Sequence, residues 1–262
     1  MAKYGMVIDL LKCTGCGACG LGCKTQNNTD DPSNGQTFNW ADYCESYSGK
    51  FPNMKYTMYP TLCNHCTDAP CVSACPVNPK AMYKKDNGIT MHNEDRCIGC
   101  RMCQRACPYS SNDINADAGA KYSVISFNAA GKETQAKYKD SSELFKGSTS
   151  GAELARKSGG TPPYKTEFSH PDYNPVRGAN KVEKCIFCEH LVQSGHKPYC
   201  TQVCPSEARV FGDLDDPNSE ASKLLKKHSS SAVSLKDNKG AMQKPDDGIK
   251  PNVIYIRSYA AR

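Results

Sequence analysis

The chain has 262 residues, enough for one large domain or two small ones, but its composition does not support an ordinary apolar core. Leu, Ile, Val and Phe together make up about 15% of the residues, below the roughly 20% that usually sustains such a core, whereas 17 residues are cysteine. The net charge of +6 alone would suggest a nucleic-acid or acidic-membrane partner, and no apolar run approaches the 18 or so residues of a membrane-spanning helix.

The first predicted element is a short strand, Tyr4 to Leu10, which is rich in β-forming residues and leads to the Thr14-Gly15 turn. The twelve residues before the first cysteine lack a basic start with an apolar stretch, and they lack a twin arginine. We therefore expect a chain that is cytoplasmic or exported on a partner. The first cysteine group, spaced CxxCxxCxxxC, comprises Cys13, Cys16, Cys19 and Cys23.

Residues 24–59 are predicted to form a turn-rich connector on the surface, because Asn, Asp, Pro and Gly cluster near its start. Two further cysteine groups follow. The second comprises Cys63, Cys66, Cys71 and Cys75, and the third comprises Cys97, Cys100, Cys103 and Cys107. The third group repeats the spacing of the first group. The second and the third groups both end in Cys-Pro.

A predicted strand, Val124 to Phe127, precedes residues 129–180, which are dominated by small, polar and proline residues. We interpret this stretch as an insertion that contacts a partner, the alternative being a plain solvated loop. The fourth cysteine group, which also ends in Cys-Pro, comprises Cys185, Cys188, Cys200 and Cys204. Beyond it we predict a helix over Ser219 to Lys227, started by residues 215–217 (DDP), and a strand over Val253 to Ile256.

The spacing of the groups is typical of [4Fe-4S] clusters. A tight loop with cysteine at every third position directs three thiolates at one cubane, while the fourth cysteine ligates a second cluster. We expect that fourth cysteine at the start of a helix, followed by a proline where no N–H donor is needed. Two groups must therefore exchange their last cysteines.

Because only 21 residues separate Cys75 from Cys97, we pair the second group with the third and, by elimination, the first with the fourth. This pairing predicts four clusters. Their ligands are Cys13, Cys16, Cys19 and Cys204; Cys185, Cys188, Cys200 and Cys23; Cys63, Cys66, Cys71 and Cys107; and Cys97, Cys100, Cys103 and Cys75. With about −2 at each oxidised site the net charge falls to about −2, so the basic residues become counter-charges and we expect no nucleic-acid partner.

The predicted fold class is α+β, with two tandem two-cluster ferredoxin-like units in a pseudo-twofold arrangement, long loop insertions, and clusters replacing much of the apolar core. The outer unit spans residues 1–60 and 181–217, and the inner unit spans 61–128. Residues 129–180 are the insertion, and 218–262 are a C-terminal helix and strand segment.

Zinc and disulfides are the competing interpretations of the cysteines. A zinc ribbon needs neither the third regularly spaced cysteine nor the terminal Cys-Pro, and disulfide frameworks favour chains below about 100 residues. A colourless, metal-stabilised binding module and a free four-cluster ferredoxin remain as alternatives. Cys44 is interpreted as a plain thiol, and His65 as a packing residue, since its group already has four thiolates.

Six cations lie within two residues of a predicted ligand, and a positive charge there favours the reduced cluster. Ordinary surface charge is the alternative interpretation of these residues. They are Lys12, Lys24, Arg96, Arg101, Arg105 and Lys184.

The four groups in this order, with CPSEAR at 204–209 and GDLDDP at 212–217, resemble the four-cluster subunits of molybdopterin oxidoreductases, the dimethyl sulfoxide reductase superfamily. Within that superfamily, GMVIDL at 5–10, PTLCNHC at 60–66 and VISFN at 124–128 look most like the small subunit of respiratory arsenate reductase. Residues 110–122 and 129–180 depart from the family pattern, which leaves the docking surface undefined.

The resemblance implies that the cluster ligated by Cys13, Cys16, Cys19 and Cys204 lies nearest a molybdopterin catalytic subunit. The other clusters would lead to a membrane quinol dehydrogenase or a cytochrome as electron donor, and the complex would be exported to the periplasm with the large subunit. We expect an electron-transfer subunit without bond chemistry of its own, because no general base, nucleophile or phosphate loop is evident. Polysulfide, thiosulfate and tetrathionate reductases offer the same kind of subunit.

Overall fold

The computed structural model describes residues 2–33, 35–110, 122–128, 139–143 and 145–257, which fold into short helices and small sheets. The described helices are α1 (Ala18–Asn27), α2 (Pro70–Ser73), α3 (Met102–Ala106), α4 (Gly151–Lys157), α5 (Glu189–Val192), α6 (Tyr199–Gln202) and α7 (Glu220–Lys227). The described strands are β1 (Tyr4–Asp9), β2 (Ala41–Lys50), β3 (Asn53–Leu62), β4 (Met82–Lys84), β5 (Thr90–His92), β6 (Ile125–Phe127), β7 (Val182–Lys184), β8 (Arg209–Asp213), β9 (Ser234–Leu235), β10 (Met242–Gln243) and β11 (Val253–Ile256).

Strand β1 is the middle strand of a three-stranded sheet, with β8 antiparallel on one side and β11 parallel on the other. Met6, Val7 and Ile8 are fully buried because the strand is covered on both faces. Cys13 follows β1 and Cys204 precedes β8, so this sheet brings the first and fourth cysteine groups together.

Four antiparallel two-stranded sheets complete the described β-structure: β2–β3, β4–β5, β6–β7 and β9–β10. In the β6–β7 sheet, Ile125 pairs with Lys184. The strand after the third cysteine group is thereby joined to the strand immediately before the fourth group. The two halves of the cysteine pattern are thus connected through backbone hydrogen bonds.

The predicted strands at the two ends of the chain and the C-terminal helix are confirmed. Strands β1, β6 and β11 coincide with the predicted segments to within one residue, and α7 begins directly after Ser219. The Ser219 Oγ accepts a hydrogen bond from the Ser222 N–H and caps the helix. Residues 215–217 are not the cap; they form the turn that leads into Ser219.

The prediction of a turn-rich surface connector over residues 24–59 was wrong in part, since residues 47–56 are exposed but residues 27–29 near the start of the segment are buried and most of its second half is strand. Helix α1 continues to Asn27, the next residues pack inward with Asn28, Thr29 and Phe38 at 0–1% exposure, and β2 begins at Ala41. Strands β2 and β3 form a ten-pair hairpin. The turn-forming residues that motivated the prediction stop at residue 35, and the alternating side chains after residue 41 were the overlooked signal.

The expected position of the fourth cysteines was also wrong, because Cys23 lies in the middle of α1 and the other three lie at or beyond helix ends rather than at helix starts. Cys71, Cys103 and Cys200 lie inside α2, α3 and α6, and the fourth cysteine follows one turn later. Cys107 directly follows α3 with an extended backbone. The proline after each of these three groups disfavours the helical conformation of the cysteine before it, which ends the helix.

Most buried apolar side chains form one core in which cysteines are interspersed, and Val7, Ala221 and Ile256 form a second, smaller cluster. None of the described helices is long and apolar enough to cross a bilayer. Parts of four predicted segments lie outside the described residues. They are residue 34 of the connector, 111–121 of the departure at 110–122, 129–138 and 144 of the insertion, and 258–262 of the C-terminal segment.

Candidate metal centres

Site A comprises Cys13, Cys16, Cys19 and Cys204, which line a cavity of about 310 Å³. The loop after β1 carries the first three, and its Gly15 and Gly17 have φ angles of 70° and 78°, in the left-handed region that favours glycine. The Tyr43 hydroxyl accepts a hydrogen bond from the Gly17 N–H at 3.0 Å and lies 3.6 Å from the Cys19 Sγ. Strand β2 thus braces this loop.

Site B comprises Cys23, Cys185, Cys188 and Cys200. The Asn27 side-chain amide donates to the Cys23 Sγ at 3.4 Å and to the Cys188 Sγ at 3.5 Å, which fixes α1 against the fourth cysteine group. Burial raises the pKa of Cys23, and the nearby Cys188, Cys185 and Cys200 raise it further. The four thiols therefore lie within electrostatic range of one another.

Sites C and D lie in the inner part of the chain, and each lines its own cavity. Site C, of about 340 Å³, comprises Cys63, Cys66, Cys71 and Cys107. Site D, of about 300 Å³, comprises Cys75, Cys97, Cys100 and Cys103. The structure thus gathers the cysteines into the same quartets that the spacing predicts, although their role as ligands stays a prediction.

The four sites stand in the order A, B, C, D. Sites A and B share helix α1, since Cys19 and Cys23 are one turn apart. Burial raises the pKa of Cys185, and Cys63 of site C raises it next, which makes B and C neighbours. Burial and then Cys71 of site C raise the pKa of Cys103 to about 12, which makes C and D neighbours.

The row has a buried middle and two accessible ends. All cysteines of sites B and C are between 5% and 9% exposed, and we call these the interior sites. Sites A and D, the terminal sites, each have one surface cysteine, Cys16 and Cys100. Electron exchange with another protein is therefore possible at the two ends of the row.

Buried and half-buried cations lie beside the interior sites and beside the terminal site A. The Lys184 ammonium, 1% exposed, donates to the carbonyls of Thr90 and Cys185. The Lys84 ammonium donates to the Cys66 carbonyl at 2.6 Å. Arg209, 3% exposed, lines site A, and although burial lowers its pKa, Cys19 and Cys200 raise it overall.

Of these cations, the sequence predicted only Lys184. The other five predicted cations are less buried, and Lys12, Arg96 and Arg105 are exposed. Lys84 and Arg209 were missed because neither is within two residues of a cysteine. The one available signal was that both lie in short segments that read as strands.

The end of the predicted insertion belongs to the body of the protein. Arg177, 6% exposed, forms an ion pair with Glu183 and donates to the carbonyls of Asn27 and Asn28 at the end of α1. The Tyr173 ring stacks on His190 at 3.8 Å between centroids. Residues 173–177 therefore form a wall behind site B, which the composition of 129–180 did not reveal.

Cys44 and His65 are both buried. The Cys44 thiol donates to the Asn238 carbonyl, and burial raises its pKa to about 11. The His65 ring stacks on Phe187 at 3.7 Å, and its Nδ1 accepts from the Thr90 N–H. His65 thus has the packing contacts expected of it.

The donor set fits a bound iron-sulfur cluster. Each quartet supplies four sulfur atoms, and three of the quartets enclose a cavity. Burial raises the pKa of Cys71 to about 11 and those of Cys107 and Cys188 to about 12, so these thiols are protonated at neutral pH unless a cationic centre stabilises the thiolates. Among the described residues, no three His, Cys, Asp or Glu side chains have the geometry of a single-ion site.

A family model described as a 4Fe-4S dicluster domain matches residues 54–128 and again residues 129–214. The second match runs through the segment that the sequence suggested to be an insertion. Two dicluster domains in tandem carry four [4Fe-4S] clusters, the number that the cysteine count predicts.

Three relatives indicate the range of proteins that the chain is similar to. The arsenate respiratory reductase iron-sulfur subunit of Shewanella sp. strain ANA-3 is 43% identical over 99% of this chain and 98% of its own length. The putative dimethyl sulfoxide reductase iron-sulfur subunit of Halobacterium salinarum is 34% identical over 86% of this chain and 71% of its own. A tetrathionate reductase subunit of Salmonella typhimurium is 28% identical over 97% of this chain and 72% of its own.

Proposed function

The chain belongs to the 4Fe-4S dicluster family, and from this premise we propose that it is the electron-transfer subunit of an anaerobic respiratory arsenate reductase. The end-to-end similarity to an arsenate reductase iron-sulfur subunit supports this assignment. The observation that carries the proposal is the row of four cysteine quartets, which is buried in the middle and reaches the surface at both ends. Bond chemistry on the substrate belongs to another chain, a molybdopterin catalytic subunit.

We assign the sixteen cysteines of sites A to D as the iron ligands, four to a site. Each bound cluster supplies reversible one-electron storage. The chain's own residues exclude water from the interior sites, fix the spacing between the sites and place charge beside them. Lys184, Lys84 and Arg209 place positive charge beside the thiolates, which favours the state with one more electron.

We propose that site A faces the catalytic subunit and that site D faces the electron donor, a membrane quinol dehydrogenase or a cytochrome. The resemblance to respiratory reductases supports this direction. On the same basis we propose that the complex works on the periplasmic side of the cytoplasmic membrane, with a cytoplasmic location as the alternative. Fractionation of cells and detection of the chain in one compartment tests this.

We further propose that the protein consists of two two-cluster units related by a pseudo-twofold axis. Sites C and D form the inner unit, residues 61–128. Sites A and B form the outer unit, residues 1–60 and 181–217. The pairing of the first with the fourth group through β1 and β8 supports this division.

The proposal is tested by purifying the chain anaerobically with its catalytic partner and measuring metal content and turnover. We expect brown protein with about sixteen irons in the chain. We also expect arsenate reduction from a quinol donor only when the chain is present. The matched control is the catalytic subunit alone with a small reduced dye, which needs no relay.

Other results of these measurements would assign the chain to a different class of protein. Reduction of tetrathionate or polysulfide without arsenate would identify a sulfur-compound reductase, an alternative that the tetrathionate reductase relative favours. A colourless, zinc-containing chain would be a binding module. A brown chain of 28.6 kDa that elutes alone from native extract would be a free ferredoxin.

A further inference from the structure

The β2–β3 hairpin has two unlike halves. At its root, Ala41, Cys44 and Leu62 are buried. At its outer half, every residue from 47 to 56 is exposed. Since a strand rises about 3.3 Å per residue, the exposed part extends about 17 Å beyond Glu45.

One face of the hairpin continues from site A to the tip. Because side chains alternate along a strand, Tyr43 and Tyr47 share a face, and their cross-strand partners are Pro60 and Tyr56. Tyr43 and Pro60 line site A. Between them and the tip, Met58 lies so close to Gly15 of the site A loop that a Cβ there would clash.

The outer part of this face is apolar, and the opposite face is polar. Tyr47 is 63% exposed, Met54 57% and Tyr56 51%, and Phe51 at the tip is 89% exposed. We call these four residues the apolar arm. The opposite face presents the cross-strand pair Ser48 and Lys55. The asymmetry is not expected of a hairpin surrounded by water.

The two tyrosines of the arm are held in place before any partner arrives. The hydroxyls of Tyr47 and Tyr56 each donate to a different oxygen of Glu45 at 2.9 Å, and the rings lie 4.9 Å apart. The two exposed rings therefore have less side-chain freedom left to lose on binding, which favours binding. Tyrosine, methionine and phenylalanine are also the residues enriched in protein interfaces.

A cleft with a net positive charge, the basic cleft, adjoins site A. It shares Cys204 and Arg209 with site A and is lined by Lys12, Lys197, Lys223 and Lys227, which together with Arg209 outnumber the lining carboxylates Glu207 and Glu220. The surface around the exposed Cys16 thus combines an apolar projection with a region of positive charge.

We propose that the apolar arm docks into an apolar groove of the catalytic subunit and that the basic cleft receives an acidic segment of the same subunit. This inference rests on the proposed function, which supplies the partner. It places the electron exit at site A beside both contacts, because the hairpin root and the basic cleft each share lining residues with site A. The arm provides the permanent attachment, and the cleft provides orientation through charge.

The test replaces the arm by β-forming polar residues in one variant, Tyr47→Thr, Phe51→Thr, Met54→Thr and Tyr56→Thr. The chain is loaded with iron, and its binding to the molybdopterin subunit that copurifies with the unchanged chain is measured. We expect the dissociation constant to rise on the order of 100-fold. The iron content and the electron paramagnetic resonance signals of the clusters should stay unchanged.

The matched control is Ser48→Thr with Lys55→Thr on the opposite face, which should bind like the unchanged chain. Lys223→Glu with Lys227→Glu should weaken binding about tenfold at low salt and less at high salt.

Unchanged binding of the arm variant would overturn this inference and leave the proposed function intact. Loss of a homodimer, with binding to the catalytic subunit unaffected, would overturn it in favour of a second copy as the occupant. If no molybdopterin subunit copurifies with the unchanged chain, the proposed function itself fails.

Discussion

The interior sites B and C and the terminal sites A and D have the same four-cysteine chemistry in different surroundings. Interior cysteines are at most 9% exposed. Each terminal site instead brings one cysteine to the surface, Cys16 or Cys100. An electron relay needs its middle sites shielded from solvent and its end sites accessible to other proteins. Along this row the shielded sites are B and C, and the accessible sites are A and D.

The largest expected difference between the two kinds of site is in the loss of one ligand. Cys185→Ser places a poor iron ligand in a buried site that adjoins Cys63 of site C. We expect iron to fall from about sixteen to about eight or fewer atoms per chain, with little soluble protein. Cys16→Ser, at the surface, should keep the fold and at least about twelve irons. Equal iron content in the two variants would show that interior and terminal sites do not differ in their sensitivity to the loss of a ligand.

The second difference is in the ion pairs. Arg177→Met leaves the Glu183 carboxylate buried and unpaired behind site B, where burial already raises its pKa. Removing one partner of a buried pair costs roughly 3–5 kcal/mol, which lowers the thermal midpoint by roughly 10 °C. Lys157→Met breaks the exposed pair with Glu153 and should leave the midpoint unchanged. Cluster absorbance during anaerobic heating reports both midpoints.

The third and smallest expected effect is on a cluster's midpoint potential, and it separates a buried cation from an exposed one beside site A. Arg209→Met removes a buried positive charge near Cys19 and Cys200, so the reduced state loses stabilisation and the midpoint potential of site A should fall by roughly 50 mV. Lys12→Met removes an exposed, screened charge and should shift it by far less. Redox titration followed by electron paramagnetic resonance measures the shifts, and Arg209→Lys, which keeps the charge, is the control. A larger shift in midpoint potential from Lys12→Met than from Arg209→Met would contradict the expectation that the buried charge has the greater effect.

Much of the architecture could be predicted because it depends on local signals. The cysteine spacing predicts which residues converge, since each loop of Cys13 to Cys19 or Cys97 to Cys103 is set by its own short sequence. Clear periodicity marks strands β1 and β11 and helix α7. The helix also has a capping serine, Ser219. These features need no information from distant parts of the chain.

The rest depends on distant contacts. Nothing near Arg177 in the sequence indicates that it binds the end of α1 some 150 residues earlier. Arg209 becomes a site A residue only because β8 lies beside β1. The β2–β3 hairpin was the exception: its alternation from Ala41 to Leu62 was visible locally but was obscured by the turn residues before it.

The sheet β11–β1–β8 has a consequence for how the protein is made. When Cys107 has left the ribosome, every cysteine of sites C and D has been synthesised. Site A must wait for Cys204, and β1 acquires its second neighbour only when Val253 has emerged. The order of synthesis therefore allows iron and sulfide to enter sites C and D before the cysteine sets of sites A and B are complete.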